Sequence, residues 1–208
     1  MHRKYNIIAV IILVGVLLAT PLLIERFLTA PSITKVPVET VKTISEQGPQ
    51  GDAIKDVRLS LLEGGQAALE DYRGRIVFVN FWASWCAPCL VEFPDLVALA
   101  EKHADDMTLI FVSNDLSRAA IDKGLAKFDD TTRTSLADAG NIVMAWDKEM
   151  DVTNRVFGTY NLPETYVIDR EGRLCRKIVG VVDTAADKMD GIMAACGGGD
   201  GAAAAEVK

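Results

Sequence analysis

The chain has 208 residues, half of them hydrophobic and a quarter charged, which suits one globular domain with appendages and excludes a disordered chain. Its formal net charge is −7 and it has no long run of Lys and Arg, so a nucleic-acid partner, which needs a basic face, is excluded. The acidity serves solubility and carries little information about substrate.

Residues 7–24, IIAVIILVGVLLATPLLI, form 18 consecutive positions without a charge, at the short end of the roughly 17–25 that span a bilayer. His2, Arg3 and Lys4 precede them, and positive flanks favour the cytoplasmic side; Pro21 is tolerable in a membrane helix. A cleaved signal peptide is the rival reading, with an apolar region usually of about 7–15 residues. Thr29-Ala30 after the bulky Arg26-Phe27-Leu28 makes a poor cleavage site, and no Cys stands there to carry a lipid. The expectation is a cytoplasmic stub and membrane anchor over residues 1–29, single-pass in the inner (cytoplasmic) membrane, with the remainder on the periplasmic, extracytoplasmic side. Either reading exports the domain. Residues 30–51 read as a linker, rich in proline and polar residues and without a sustained period. The domain follows over 52–196, and the Gly- and Ala-rich stretch 197–208 reads as a flexible tail.

Within the domain, Asp56–Tyr72 is expected to add a short hairpin. Arg75–Trp82, RIVFVNFW, is nearly continuously apolar, as a strand covered on both faces would be. From Cys86 to about His103, Leu90, Phe93, Leu96, Val97 and Ala100 recur at helical spacing, with Pro94 expected to kink the helix. Met107–Ser113 predicts a second strand, and Ser117–Lys127 a helix capped by Ser117. Asn141–Trp146 predicts a short strand, and Asp151–Phe157 a brief helix. Glu164–Asp169 and Leu174–Val181 predict two strands joined at Arg170-Glu171-Gly172, and Asp183–Ala195 a closing helix. Strands and helices alternating in this order predict an α/β domain with a mixed central sheet flanked by helices.

Four cysteines carry the chemistry: Cys86, Cys89, Cys175 and Cys196. The first two form Cys-x-x-Cys between a buried strand and a helix. Cys86 then sits at the helix N-terminus, where free N–H groups and the helix dipole favour a thiolate, the nucleophilic form. Cys89, one turn further in, is better shielded and can resolve a mixed disulfide made by Cys86. Pro88 fixes the first turn at little cost, since the N–H it lacks would have no helical partner there. A structural zinc site needs about four ligands; Cys175 and Cys196 stand apart, and His2 and His103 form no pair, so no metal site is expected. Covalent haem requires His after the second Cys, and that residue is Leu90. The tight spacing at a helix start disfavours a purely structural bridge between Cys86 and Cys89. Cys175 and Cys196, 21 residues apart, could form a structural disulfide, stay as inert thiols or make a second redox pair.

Val79-Asn80-Phe81-Trp82-Ala83-Ser84-Trp85-Cys86-Ala87-Pro88-Cys89 resembles the active-site segment of the TlpA/ResA/CcmG-like thioredoxins, which are exported, membrane-tethered thiol-disulfide oxidoreductases. Gly158-Thr159-Tyr160-Asn161-Leu162-Pro163-Glu164-Thr165-Tyr166-Val167-Ile168-Asp169 resembles their second anchor. The resemblance covers residues 52–196 and implies a thioredoxin-like fold. It also implies a cis Leu162–Pro163 peptide lying against the cysteines, with the Leu162 backbone pairing with an extended substrate. Trp85, Ala87, Pro88, Leu162 and Pro163 would form the substrate-binding surface. Asn80 stands where cytoplasmic-type thioredoxins carry a buried Asp, so that acid is missing. Glu92, three residues after Cys89, matches the acid that ResA-like proteins keep near their cysteines. It is the expected proton acceptor for Cys89, the alternative being a solvated helix acid. Trp82 is explained by core packing alone.

The resemblance implies a reductant of exported protein disulfides that needs no cofactor and is kept reduced by a membrane thiol donor. Its substrates would be apocytochrome c or the metal-site proteins of oxidase assembly; Pro163-Glu164-Thr165 leans towards cytochrome c maturation. Two other readings stay open: a binding module or metallochaperone without turnover, and an oxidant that introduces disulfides.

Overall fold

The computed structural model describes residues 56–197. The expected anchor, linker and tail lie outside the described residues, save that Gly197 ends the last helix. No helix among the described residues is long and apolar enough to cross a membrane.

Strand β1 (Arg58–Ser60) pairs antiparallel with β2 (Gln66–Ala68), the expected hairpin. The main sheet contains β3 (Ile76–Trp82), β4 (Met107–Ser113), β5 (Ile142–Trp146), β6 (Glu164–Ile168) and β7 (Leu174–Val179), in the order β5-β4-β3-β6-β7. Strand β3 lies parallel to β4 and antiparallel to β6. The helices are α1 (Ala87–Lys102), α2 (Arg118–Leu125), α3 (Asp130–Asp138) and α4 (Ala186–Gly197), with a π-helical turn at Asp151–Val156. Ser117 caps α2 as expected, its hydroxyl accepting from the Ala120 N–H at 3.2 Å.

Helix α3 has no counterpart in the sequence expectation. Its residues, DTTRTSLAD, bury Thr132 and Ser135, so the apolar period by which a helix is normally recognised is absent. Its start is nevertheless marked, because Asp129 accepts from the Thr132 N–H at 2.7 Å, as an N-cap acid does.

Strands β3 and β4 are buried along their whole length, and alternation divides their side chains between two cores. Ile76, Phe78 and Trp82 face the side covered by the helices; Val77, Val79 and Phe81 face the side covered by the β1–β2 hairpin and the π-helical turn. Phe93 fastens α1 to the first side. It stacks on Phe111 at 3.8 Å and on Phe128 at 4.5 Å between ring centroids, and meets Trp82 edge-on at 4.9 Å. Pro94 lies inside α1 without ending it. On the same side, Cys175 of β7 is disulfide-bonded to Cys196 of α4, tying the last helix to the outer strand.

Two stability measurements follow from this packing. Phe93→Ala should lower unfolding free energy by about 3–5 kcal/mol in urea titrations. Cys175→Ser with Cys196→Ser should lower it by about 3 kcal/mol, the chain-entropy value for a loop of this size, with the Cys86–Cys89 bridge still formed by mass spectrometry.

Candidate active site

The site begins where β3 ends. After Trp82 the chain turns through Ala83–Cys86, with the Cys86 N–H donating to the Ala83 carbonyl at 3.1 Å. Cys86 is the N-cap of α1 in extended conformation, and its sulfur accepts from the Cys89 N–H at 3.3 Å. One free N–H of the first turn, that of Cys89, therefore points at the sulfur, an arrangement that stabilises a thiolate. Cys86 and Cys89 are disulfide-bonded. In this oxidised state they are 5% and 1% exposed, so Cys89 is the more shielded by a small margin. Ala87 and Pro88 are exposed beside them. Trp85 is 68% exposed at the site's surface, whereas Trp82 is wholly buried in the core.

The Leu162–Pro163 peptide is cis. Leu162 is half-buried and packs against both core clusters, one of which contains Cys86 and Cys89. The Pro163 carbonyl is taken by the Gly180 N–H at 2.9 Å.

Glu92 is not a solvated helix acid: it is 1% exposed. The cause lies in two periodicities. Position i+3 from Cys89 shares its face of α1, and Asn80 lies on the helix-covered side of β3 with Ile76, Phe78 and Trp82. The two side chains meet, and Asn80 Nδ2 donates to Glu92 Oε1 at 2.9 Å. The same amide nitrogen donates to Thr165 Oγ1 at 2.9 Å, where β6 pairs with β3. The other carboxylate oxygen, Oε2, accepts from the Val182 N–H at 2.7 Å. Burial pushes the Glu92 carboxyl above its ordinary value, against the opposing pull of the Val182 and Asn80 hydrogen bonds. Asn80, read from sequence only as a missing acid, is thus the donor that orients Glu92. Val182 acts through its backbone, which no side-chain pattern signals.

A second buried polar group lies behind the cis-proline loop, on the opposite side of the sheet. Glu164 Oε2 accepts from Thr159 Oγ1 at 2.6 Å and from the Tyr166 hydroxyl at 3.1 Å, and pairs with Lys177 Nζ at 3.2 Å. The Tyr166 hydroxyl lies 2.6 Å from the Phe157 carbonyl, and its acidity is suppressed chiefly by burial. Both ends of the 157–164 segment are thereby held by one network, with Tyr160 exposed on the loop between. Cys175 and Cys196 lie apart from this centre as the bridge between β7 and α4. Among the described residues no group of three or more His, Cys, Asp or Glu could hold a metal ion.

A family model described as Redoxin matches residues 49–192, both anchors of the site included. The chain belongs to the Redoxin family. This redoxin is 28% identical over 123 residues to a thiol-disulfide oxidoreductase ResA of Bacillus cereus, a match covering 57% of this chain and 63% of that protein. It is 34% identical over 113 residues to the thiol:disulfide interchange protein DsbE of Pseudomonas aeruginosa, covering 54% of this chain and 56% of that protein. The matches thus span less than two thirds of either relative's length. The crystal structure of a DsbE-type thiol:disulfide interchange protein from Chlorobium tepidum superposes with a TM-score of 0.58 at 26% identity, covering 73% of this redoxin and 97% of that chain. The redoxin therefore has the thioredoxin-like α/β fold, with its mixed sheet between helices and hairpin.

The raised Glu92 carboxyl has a measurable consequence. Burial favours the uncharged acid, so the folded redoxin holds this proton more tightly than the unfolded chain does. The stability it contributes is full below the ordinary carboxyl range and is lost as pH rises through the raised value. Urea unfolding of the oxidised protein across that interval should show stability falling with pH, and Glu92→Gln should flatten that part of the profile.

Proposed function

We propose that this redoxin is an exported, membrane-anchored thiol-disulfide oxidoreductase that reduces disulfides in partner proteins. The observation that carries the reading is the Cys86–Cys89 disulfide at the N-terminus of α1, with buried Glu92 one turn beyond it on the face of Cys89. In the reduced protein the Cys86 thiolate attacks one sulfur of a substrate disulfide. A mixed disulfide forms and the other substrate sulfur leaves as a thiolate. Cys89 passes its proton to Glu92 and attacks Cys86, releasing the second substrate sulfur. Two electrons have moved to the substrate, which departs as a dithiol after protonation, and the Cys86–Cys89 bridge remains. Asn80 and the Val182 N–H hold Glu92 for this exchange, and the raised carboxyl is better matched to a thiol than an ordinary surface acid.

Trp85, Ala87, Pro88, Leu162 and Pro163 form the surface that receives the substrate, and the backbone at Leu162 pairs with its extended chain. The direction of electron flow rests on the likeness to ResA- and CcmG-like proteins. By the same likeness the substrates are apocytochrome c or metal-site proteins of oxidase assembly, and a membrane thiol reductant restores the dithiol. Export and anchoring rest on the uncharged stretch 7–24 and its positive flank.

Equilibration against a glutathione buffer tests the direction: a potential for Cys86–Cys89 well above about −200 mV would count against a reductant. Cys86→Ser should abolish reduction of a model disulfide, and Cys89→Ser should accumulate mixed disulfides on Cys86. Glu92→Gln should slow exchange roughly tenfold or more while leaving the fold intact; wild-type rates in that variant would remove Glu92 from the mechanism.

A further inference from the structure

Ser84, two residues ahead of Cys86, is held from several directions. Its N–H donates to Asp115 Oδ2 at 2.9 Å and its hydroxyl to Asp115 Oδ1 at 2.6 Å, so one carboxylate receives both. Its carbonyl accepts from Lys127 Nζ at 3.1 Å. The peptide groups on both sides of Ser84 are thus fixed. Helix α2 adds a steric wall, since a Cβ on Gly124 would lie 2.6 Å from Ser84 Cβ. The sheet register explains the meeting. Trp82 and Ser113 are paired at the ends of parallel strands β3 and β4, so the turns that follow them emerge side by side.

Asp115 is itself held. The Ser113 hydroxyl donates to Oδ2 at 2.9 Å, the Asp115 N–H donates to Ser113 Oγ at 3.1 Å, and the Asp115 carbonyl accepts from Trp146 Nε1 at 2.6 Å. The residue is 1% exposed. Shutting a charge away from water is costly even when its hydrogen bonds are made, and here the charge is spent on a turn next to the reactive sulfur. Ala83 and Cys86 are buried at the two ends of that turn, whereas Trp85 within it is 68% exposed. Between the buried ends, the hydrogen bonds of Ser84 hold the turn.

We propose that Asp115 is a positioning residue for Cys86: by gripping the N–H and hydroxyl of Ser84, it fixes the Ala83–Cys86 turn and so the placement of the reactive sulfur at the N-terminus of α1. The proposal rests on the thiol-exchange reading above. Two roles for Asp115 predict opposite signs. A buried negative charge acting only through its field opposes a nearby thiolate, so neutralising it would make Cys86 more reactive. A positioning group holds the sulfur over the helix N–H donors, so removing its grip makes Cys86 less reactive.

The test uses the full chain, reduced, with iodoacetamide as probe and mass spectrometry to score labelling at Cys86. Asp115→Asn should slow Cys86 labelling at pH 7 about tenfold, the loss expected when one charge-assisted hydrogen bond no longer orients the sulfur, and move the pH profile of labelling to higher pH. Gly124→Ala, which displaces Ser84 without changing charge, should slow labelling in the same direction. Wild-type rate and profile in Asp115→Asn, or faster labelling, overturns the proposal. Should Asp115→Asn fail to fold by circular dichroism, Gly124→Ala and Ser84→Ala decide it, and wild-type labelling in both overturns it. Labelling requires no turnover. A wild-type protein inert towards disulfides would therefore sink the oxidoreductase reading while leaving the positioning result standing.

Discussion

A carboxylate removed from water must find donors close by, and Glu92 finds one on either side. The Asn80 amide reaches it from β3 and the Val182 N–H from the segment leading into α4. Two parts of the chain far apart in sequence thus converge on one side chain, itself one helical turn from Cys89. Asn80 extends the chain of bonds to Thr165 on β6, two residues past the cis proline. The Cys86–Cys89 pair, the cis-proline loop and the last helix are consequently set relative to one another through polar contacts inside an otherwise apolar layer. Such contacts have strict geometry, whereas hydrophobic burial alone is indifferent to small displacements.

The site stands at one end of the sheet, where β3 gives way to the turn that opens α1. Strands β3 and β4 run parallel and finish in register, so the loops after them share one edge. Side chains on those loops can meet without disturbing the core. Ser84 and Asp115 do so beside Cys86, beyond the carboxyl ends of the strands, where open α/β sheets place their ligands.

Much of this was legible in the sequence, for physical reasons that can be named. The unbroken apolar run ending at Trp82 marks a strand buried on both faces, and a Cys-x-x-Cys following it must open a helix. The expected strand Met107–Ser113 coincides with β4. Helix α3 was not legible, because its buried positions are Thr132 and Ser135 and their burial is decided by neighbours rather than by hydrophobicity. Glu92 could be singled out by its spacing from Cys89, but its burial and its donors could not, since Asn80 meets it across the fold and Val182 uses only its backbone. Asp115 was passed over altogether. Its one trace is a cluster of polar residues, Ser113-Asn114-Asp115, ending an otherwise apolar strand, and all three are buried. Buried polar residues at a strand's end are the sign to look for.

The two edges of the main sheet are treated differently. The β5 edge is closed by the chain itself, through the bridge of Leu61 to Ala145 and the Leu62 N–H donating to the Met144 carbonyl at 2.9 Å. Among the described residues β7 forms the other edge, and it carries Arg176 and Lys177 in succession. Arg176 puts a charge on this outer strand, which disfavours edge-to-edge pairing with a second copy. Lys177 is instead turned to Glu164 at 3.2 Å, its side chain almost wholly buried. Of two adjacent cations, one braces the buried network behind the cis-proline loop and the other leaves a charge on the sheet's outer strand.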